Sequence, residues 1–248
     1  TRCTQPSDYA MISVAPIGLQ PLQGRRVFLE RSAPEHAPFL RQCYQDDGFM
    51  DLYRLAQDRR QTEEQIRERL AKEHPLLPQQ LKRIEWIDHR LNDNGDKEPV
   101  GLIALADYKH AHRRAEFLIG ILPTEYRGKG IALEASLLVL DFAFNQIQLH
   151  KLIAYVYGYN QYAQESIISL GFTQEGLLRE HIFYATHGYI DMYLDGFTET
   201  DFRANQRLSR FSQRLLGWDI TLKPAPPEVL SEEQIAQAKE TVFKALRT

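Results

Sequence analysis

Two glycines separated by one residue and flanked by cations are the feature of this sequence best suited to binding an anion. They lie in the loop Arg127-Gly128-Lys129-Gly130-Ile131-Ala132, between a strand-like stretch and an amphipathic stretch. Glycine lets the backbone turn tightly and approach a ligand closely. Unpaired N–H groups and the dipole of the following helix, with the two cations, would hold phosphate. The loop is therefore predicted to bind phosphate, although a strand-to-helix turn with two solvated cations has the same residues.

The common nucleotide-binding motifs do not explain this loop. The sequence has no Gly-x-x-x-x-Gly-Lys-Ser/Thr segment, and no Gly-x-Gly-x-x-Gly segment follows the strand. A phosphate-binding domain for some other nucleotide stays open as one alternative.

Hydrophobic periodicity predicts the elements that position the loop. Alternating apolar residues predict strands at 26–31, 82–87, 99–107, 114–122 and 151–157, and two final strands at about 172–184 and 189–196. Apolar residues three or four apart predict helices over 63–74, 130–144 and 161–170, and Ser32-Ala33-Pro34-Glu35 is predicted to begin another helix. Strands interleaved with helices predict a mixed sheet, an α+β (α/β mixed) fold.

Composition and charge narrow the function classes. Hydrophobic residues make up 43% and charged residues 25% of the 248 residues, as in globular proteins. A formal net charge of -3 provides no basic field for nucleic acid, and apolar stretches such as 131–144 are too interrupted for a membrane span. We expect no nucleic-acid partner and no membrane association. The first residues lack the order of a signal peptide, which predicts a cytoplasmic location.

Cysteine and proline positions predict the organisation of the chain. Cys3 and Cys43 have no paired spacing, so free thiols and no metal are expected. We predict an extended leader at 1–24, a main domain at 25–199 and a C-terminal helical extension at 200–248, interrupted by prolines at 224, 226 and 227.

Further signatures downstream of the loop make a family resemblance specific. They are Leu149-His150-Lys151, Asn160, Leu170-Gly171-Phe172, Glu175-Gly176 and Gly188-Tyr189-Ile190-Asp191. Together with the loop, residues 25–198 resemble the GNAT superfamily of N-acetyltransferases. The similarity is greatest to the branch of ribosomal-protein N-terminal, diamine and amino-sugar acetyltransferases.

The resemblance implies a mostly antiparallel sheet, splayed where the pantetheine arm of acetyl-CoA lies between two strands. It implies that backbone groups of Gly120, Ile121 and Leu122 bind pantetheine and that residues 127–132 bind the pyrophosphate. Asn160 would contact the cofactor, and it is also a natural N-cap for the next helix. The family resemblance implies acetyl-CoA as co-substrate and no metal.

Glu116 is the leading candidate for the catalytic base. A primary amine is mostly protonated at neutral pH, so its attack on a thioester needs a proton acceptor. Glu116 lies eleven positions before Arg127, which resembles the base-bearing strand of histone-acetylating relatives. A surface glutamate paired with Arg114 or another cation is the alternative.

The proton donor is harder to assign, because Ala163 and Ile167 replace the serine and tyrosine of relatives. Ser166 lies one helical turn from Ala163 and is the main substitute. Tyr162 and Tyr184 are further options, and water or a chain without efficient turnover remain open.

Two other clusters have alternative interpretations. The basic residues of one hairpin turn could attract an acidic substrate such as a nucleotide sugar, or could simply be solvated. They are Lys109, His110, His112, Arg113 and Arg114. Apolar residues after the first helix could shape an acceptor pocket or belong to the core. They are Phe49, Met50, Leu52 and Tyr53.

The function predicted from these residues is acetyl transfer from acetyl-CoA to a primary amine by direct attack on the thioester. The acceptor would be a small molecule, an amino sugar or a protein N-terminus. The alternative is a coenzyme A-binding module for sensing or scaffolding, with little or no turnover. A homodimer is left open.

Overall fold

One mixed sheet forms the centre of the computed structural model, which describes residues 20–50, 53, 56–76, 78–184 and 187–224. Its strands are β1 (Leu22–Gln23), β2 (Val27–Arg31), β3 (Ile84–Leu91), β4 (Lys97–Lys109), β5 (Arg114–Ile121), β6 (Lys151–Tyr157), β7 (Thr173–Tyr184) and β8 (Gly188–Thr198). Their order is β1-β2-β3-β4-β5-β6-β8-β7. Neighbours are antiparallel except β5 and β6, which are parallel. The predicted mixed, mostly antiparallel sheet is confirmed.

Helices cover both faces of the sheet. The described helices are α1 (Ala37–Gln45), α2 (Asp47–Met50), α3 (Glu63–Glu73), α4 (Ile131–Asp141), α5 (Gln161–Leu170), α6 (Glu199–Ala204) and α7 (Gln206–Leu215). Helices α1 to α3 bury apolar side chains against one face, and α4 to α7 against the other. Ile66 and Leu70, predicted as the apolar stripe of α3, are 0% and 1% exposed. The sheet is therefore covered on both sides, with the site's strands at its centre.

The first helix begins later than predicted. Pro34–His36 form a 3-10 turn preceded by Ala33, without a side-chain cap from Ser32. Helix α1 starts at Ala37 and has a proline in its first turn, where the missing N–H has no intrahelical role. The helix predicted over 130–144 also differs at its end: α4 stops at Asp141, and a π-helical turn follows over Phe142–Gln146.

The segment after β8 packs into the main core. Phe202 stacks on Phe144 with ring centroids 4.4 Å apart, and Leu208 and Ile220 are fully buried. Arg203 donates to the carbonyl oxygens of Phe144, Thr221 and Leu222. The segment as far as Ile220 thus belongs to the same core as the sheet.

Several predicted features lie outside the described residues. These are Cys3, Leu52, most of the 1–24 leader and residues 225–248. The described part of the leader, residues 20–24, includes the edge strand β1. The domain boundaries stay predictions. None of the described helices combines the length and the apolar character needed to cross a membrane.

Candidate active site

The central feature of the site is the separation of two parallel strands. Strand β5 pairs with β6 only at Arg114–Lys151, Ala115–Leu152 and Glu116–Ile153. Beyond Glu116, β5 stays paired with β4, while β6 stays paired with β8. The two halves of the sheet therefore diverge, and a gap opens after Glu116. This is the splay that the family resemblance implied.

A mainly apolar cavity occupies this gap. It is lined by Tyr53, Phe117, Leu118, Ile119, Ala154, Tyr155, Val156, Asn160, Ala163 and Ile167. An apolar slot between two strand edges suits a thin chain carrying amide groups, because the edges offer unpaired N–H and C=O groups. The cavity is consistent with a site for the pantetheine arm.

The backbone direction of β5 refines the predicted pantetheine contacts. Leu122 donates its N–H to Val100 of β4. Since N–H and C=O groups of successive residues point to opposite edges of a strand, Gly120 also bonds toward β4. Ile121 bonds toward the gap, where its carbonyl oxygen accepts from Arg127 Nε at 3.1 Å. Of the three predicted residues, the structure thus directs only Ile121 to the gap.

Gly120 has a packing role instead. A β-carbon at this position would lie 2.5 Å from Cε2 of Phe49. Phe49, Met50 and Tyr53 are at most 2% exposed, which confirms that they are core. Tyr53 also lines the cavity and stacks on Phe49, so the core borders the cavity at Tyr53.

The loop at the mouth of the gap has the geometry expected of an anion site. Gly128 and Gly130 have φ of +75° and +82°, in the left-handed region where glycine is favoured. Gly130 directly precedes α4, and its carbonyl oxygen accepts the first helical bond from the N–H of Glu134. The N–H groups in between are the ones that a helix leaves for a ligand.

Arg26 is a cation at this loop that sequence reasoning missed. Its Nη1 donates to the carbonyl oxygen of Lys129 at 3.3 Å. A β-carbon on Gly130 would lie 3.0 Å from its Nη2. The side chain is 49% exposed, so it can reach a ligand on the loop. No local signal marks Arg26, because the contact joins residues 103 positions apart.

Glu134 holds Arg26 in place. This carboxylate is fully buried in α4 and accepts the backbone N–H groups of Arg25 at 2.6 Å and Arg26 at 2.8 Å. It also accepts from Arg26 Nε at 3.2 Å. Asp88, fully buried on β3, has its pKa raised to about 8 by burial and by the negative charge of Glu134.

Asn160 combines the two roles considered for it. Its side-chain oxygen accepts from the N–H of Ala163 at 3.1 Å, which caps α5. The residue also lines the cavity and is 8% exposed. The cap fixes the wall of the cavity that α5 provides.

Glu116 lies at the apex of the gap. It is 1% exposed and is the last β5 residue paired with β6. Strand alternation places it on the same face as Leu118, toward α1 to α3. The surface-glutamate alternative is wrong, and Arg114 pairs with Asp107 at 3.5 Å.

The proposed proton donors on α5 do not face the cavity. Ser166 donates to the carbonyl oxygen of Tyr162 at 2.8 Å, and Tyr162 is 66% exposed. The α5 side chains that line the cavity include Ala163 and Ile167, which have no proton to donate. The hydroxyl of Tyr184 accepts from Arg59 Nη2 at 3.0 Å, on the side of the cavity opposite the glycine loop. Tyr155 of β6 lines the cavity and is a donor candidate that sequence reasoning missed.

The side opposite the loop contains aromatic and charged groups from distant segments. Tyr159 stacks on Tyr157 and on His187, at 5.5 Å and 4.8 Å between ring centroids. Beneath α1 to α3, Glu85 is buried beside two arginines. Although burial acts to raise its pKa, Arg83 and Arg69 hold the pKa of Glu85 below its usual value.

The cations of the β4–β5 turn have local partners. Lys109 pairs with Asp107 at 2.8 Å, and Arg113 Nε donates to the carbonyl oxygen of Gln148 at 2.7 Å. The turn lies at the paired end of β5, away from the opening of the gap. This arrangement favours the solvated-turn interpretation over a substrate site.

Comparisons with known proteins agree with this geometry. A family model for the acetyltransferase (GNAT) domain matches residues 26–173. A spermidine N(1)-acetyltransferase of Escherichia coli K12 is 43% identical over 88 residues, which cover 36% of this chain and 47% of the relative. The chain thus spans about half the length of the first curated relatives that it matches.

Solved structures show the same fold. The structure of spermidine N-acetyltransferase from Vibrio cholerae in complex with CoA and spermine superimposes with a TM-score of 0.61 at 24% identity, covering 71% of this chain and 97% of that one. A structure of the Vibrio cholerae enzyme described as dodecameric has a TM-score of 0.57 at 23% identity, covering 71% and 96%. With a family model that matches over half of its length, the chain belongs to the GNAT acetyltransferase family, whose acetyl donor is acetyl-CoA.

Proposed function

We propose that this protein transfers the acetyl group of acetyl-CoA to a primary amine of a small molecule, by direct attack of the amine on the thioester. The observation that carries the proposal is the separation of β5 from β6 beyond Glu116, with a lined cavity in the gap and the glycine loop at its mouth. Bound acetyl-CoA supplies the thioester that the amine attacks.

The residues present fit that group. The N-terminus of α4, Arg127, Lys129 and Arg26 would hold the pyrophosphate, and the edge of β5 at Ile121 would hold pantetheine. Asn160 would fix the α5 wall. Cations and helix N–H groups match phosphate oxygens, and an apolar slot matches the thin arm.

Glu116 is proposed to accept the proton of the attacking amine. An amine with a pKa of about 10 is almost wholly protonated at neutral pH, so it must lose a proton before it can attack. A carboxylate at the apex of the gap is placed where the strands diverge. Its action directly or through one water fits general base catalysis.

Tyr155 is proposed to protonate the leaving thiolate. It lies on β6 two residues beyond Ile153, the partner of Glu116, and therefore on the same face of the sheet. The cavity lining includes Tyr155, while the α5 residues in it, Ala163 and Ile167, have no proton to donate.

The Tyr155→Phe variant tests this role. Turnover should fall by about 10-fold or more, because the ring is kept and the hydroxyl that would donate the proton is removed. Acetyl-CoA affinity should stay near normal. Tyr162→Phe, exposed on α5, is the matched control and should retain full activity. Equal activity in both variants would mean that water, and not Tyr155, protonates the leaving thiolate.

A polyamine is the proposed acceptor. Support comes from the Escherichia coli relative, whose name specifies spermidine N(1)-acetylation. Amino sugars and protein N-termini are the competing acceptors.

The decisive experiment offers acetyl-CoA and a panel of amines to the purified chain and measures free thiol and acetylated product. The panel contains spermidine, spermine, glucosamine and a peptide with a free N-terminus. Spermidine should give the largest kcat/KM and a product heavier by one acetyl group. A larger kcat/KM for another amine would mean that the proposed polyamine acceptor is wrong. If acetyl-CoA binds but none of the amines causes release of free thiol, the coenzyme A-binding module is favoured. Ala163 and Ile167 in the cavity wall, which cannot donate a proton, are the residues consistent with that alternative.

Assembly with further copies of the same chain is part of the proposal. It rests on the dodecameric description of a Vibrio cholerae relative of the same fold. Light scattering of the purified chain should give a mass several times that of the monomer, and a monomer at micromolar concentration would contradict it.

A further inference from the structure

Two histidines and a glutamate meet at a place outside the lining of the cavity between β5 and β6. Glu30 lies on β2, His89 lies on β3, and His36 lies in the turn that leads into α1. One potential ligand atom from each side chain lies within 4.8 Å of the other two. Nε2 of His36 is 3.7 Å from Glu30 Oε2, and Nε2 of His89 is 4.0 Å from the same oxygen. This arrangement is the densest group of metal-ligating atoms in the described part of the chain.

The sheet and the turn fix this arrangement. Phe28 of β2 is paired with His89 of β3, so Glu30, two residues along, points to the same face as the histidine. His36 reaches that face from the start of α1, and the two imidazole centroids are 6.2 Å apart. The side chains of His36, His89 and Glu30 are 13%, 8% and 38% exposed, so an ion could enter from the glutamate side.

The distances suit a small divalent ion after a modest closure. Zinc bonds to nitrogen and oxygen of about 2.0–2.1 Å place tetrahedral ligand atoms about 3.3 Å apart. The two contacts to Glu30 exceed that separation by less than 1 Å, and all three ligand atoms lie within 4.8 Å of one another. Two imidazoles with one carboxylate favour zinc over magnesium or calcium, which prefer oxygen ligands.

His89 is suited to ligation in its resting state. A metal needs the neutral imidazole, since the protonated ring has no lone pair to give. Burial lowers the pKa of His89, although the nearby Glu30 acts in the opposite direction.

His36 must change its tautomer to take part. Its Nδ1 accepts the N–H of Ala33 at 2.9 Å, so the proton of the neutral ring is on Nε2. Ligation through Nε2 moves that proton to Nδ1 and releases the Ala33 N–H. The buried Ala33 N–H then has no acceptor, which lowers zinc affinity by about 5- to 150-fold and must be offset by the three metal bonds.

We propose that Glu30, His36 and His89 bind one zinc ion, which ties the start of α1 to strands β2 and β3. A three-ligand site leaves a position for water. The strands β4 and β5 separate this site from the gap, so acetyl transfer is not expected to need the ion. The binding site is independent of the proposed function, and its test does not measure turnover.

The test titrates the chelator-treated full chain with zinc against a chromophoric chelator. The wild type should bind one equivalent with a Kd in the micromolar range or tighter. Glu30→Gln and His36→Asn should weaken binding by about 10-fold or more, because each removes one of three ligands. Glu35→Gln, an exposed glutamate of the same turn, is the matched control and should bind like the wild type.

A second readout follows from the tautomer change. Zinc should accelerate amide hydrogen exchange at Ala33, whose N–H loses its acceptor. Zinc should also raise the melting temperature of the wild type and of Glu35→Gln, but not of Glu30→Gln. A wild-type Kd weaker than about 100 μM would overturn the site, as would equal affinities of the wild type and the two ligand variants. Melting without zinc shows whether each variant is folded.

Discussion

The two sides of the cavity are built in different ways. The loop side comes from one continuous stretch, β5, the glycine loop, α4, β6 and α5. The opposite side joins α1 to α3 with the ends of β6 and β7, and its contact between Arg59 and Tyr184 spans 125 positions. The proposed acetyl-CoA side can thus be encoded by neighbouring residues. The side proposed to bind the amine depends instead on contacts between distant parts of the chain.

The largest expected effect is on the loop side, in the variant Gly130→Asp. A side chain there is strained at φ +82° and would lie against Arg26, 3.0 Å from Nη2. The new carboxylate would take the place of the phosphate oxygens and would pair with Arg26, the cation proposed to bind them. Coenzyme A affinity should fall by about 10³-fold, or about 4 kcal/mol, in calorimetry.

Gly95→Asp is the matched control for that variant. Gly95 has φ of +84° in the β3–β4 turn, with open space around its α-carbon. It carries the same strain and charge away from the loop, so its coenzyme A affinity should stay normal. An unchanged affinity in folded Gly130→Asp would place the pyrophosphate elsewhere.

The next largest effect concerns Glu116, at the apex where both sides meet. Glu116→Gln keeps the shape and removes the basicity, so turnover at pH 7 should fall by about 10² or more while acetyl-CoA binding persists. Higher pH should restore part of the rate, because more of the amine is already deprotonated. Glu125→Gln, exposed beside the loop, should behave like the wild type. Most of the activity remaining in Glu116→Gln would assign the proton to water.

A smaller effect is expected from Arg26→Ala. This variant tests whether a residue distant in sequence also contributes to the loop side of the cavity. Loss of one charge-assisted contact should weaken coenzyme A binding by about 10-fold. Arg25→Ala removes a neighbouring exposed cation whose backbone alone contacts Glu134, and should change affinity little. Similar losses in both variants would indicate general attraction rather than a contact.

Asp88→Asn should disturb coenzyme A binding least and instead change how stability depends on pH. With a folded pKa of about 8 and an unfolded value of about 4, folded Asp88 keeps a proton that the unfolded chain releases. Stability should therefore fall as pH rises from about 4 to 8 and level off above that range.

The asparagine variant lacks this loss. It should be more stable than the wild type at pH 9, by up to about 5 kcal/mol for a shift of about four pKa units, and should differ less at pH 5. Urea unfolding at both pH values measures this change. Asp93→Asn, in the exposed β3–β4 turn, should leave the pH dependence as in the wild type. Parallel curves for wild type and Asp88→Asn would mean that Asp88 is ionised in the fold.

The sequence predicted the locally encoded parts well. Helix α5 matches its predicted range because Asn160 caps it and Gly171, at φ +109°, ends it. Strand β6 also matches, and the splay followed from the family resemblance. These features depend on signals carried by neighbouring residues.

Contacts between distant residues could not be predicted in the same way. The position of Arg26 at the loop requires the docking of β1 and β2 against α4. The burial of Glu116 depends on the register of three strands, since a glutamate in an alternating strand is equally compatible with solvent. The side-chain bond of Ser166 to its own helix likewise competes with any role in the cavity.

The buried carboxylate of Glu134 has a consequence for the order in which the protein matures. Its partners, the N–H groups of Arg25 and Arg26, leave the ribosome more than a hundred residues before it does. Strand β2 also waits for β3, its neighbour in the sheet. The amino-terminal hairpin therefore cannot reach its final position during early synthesis, and contacts this distant in sequence form slowly. Tight coenzyme A binding by a nascent chain would report that this late docking has occurred.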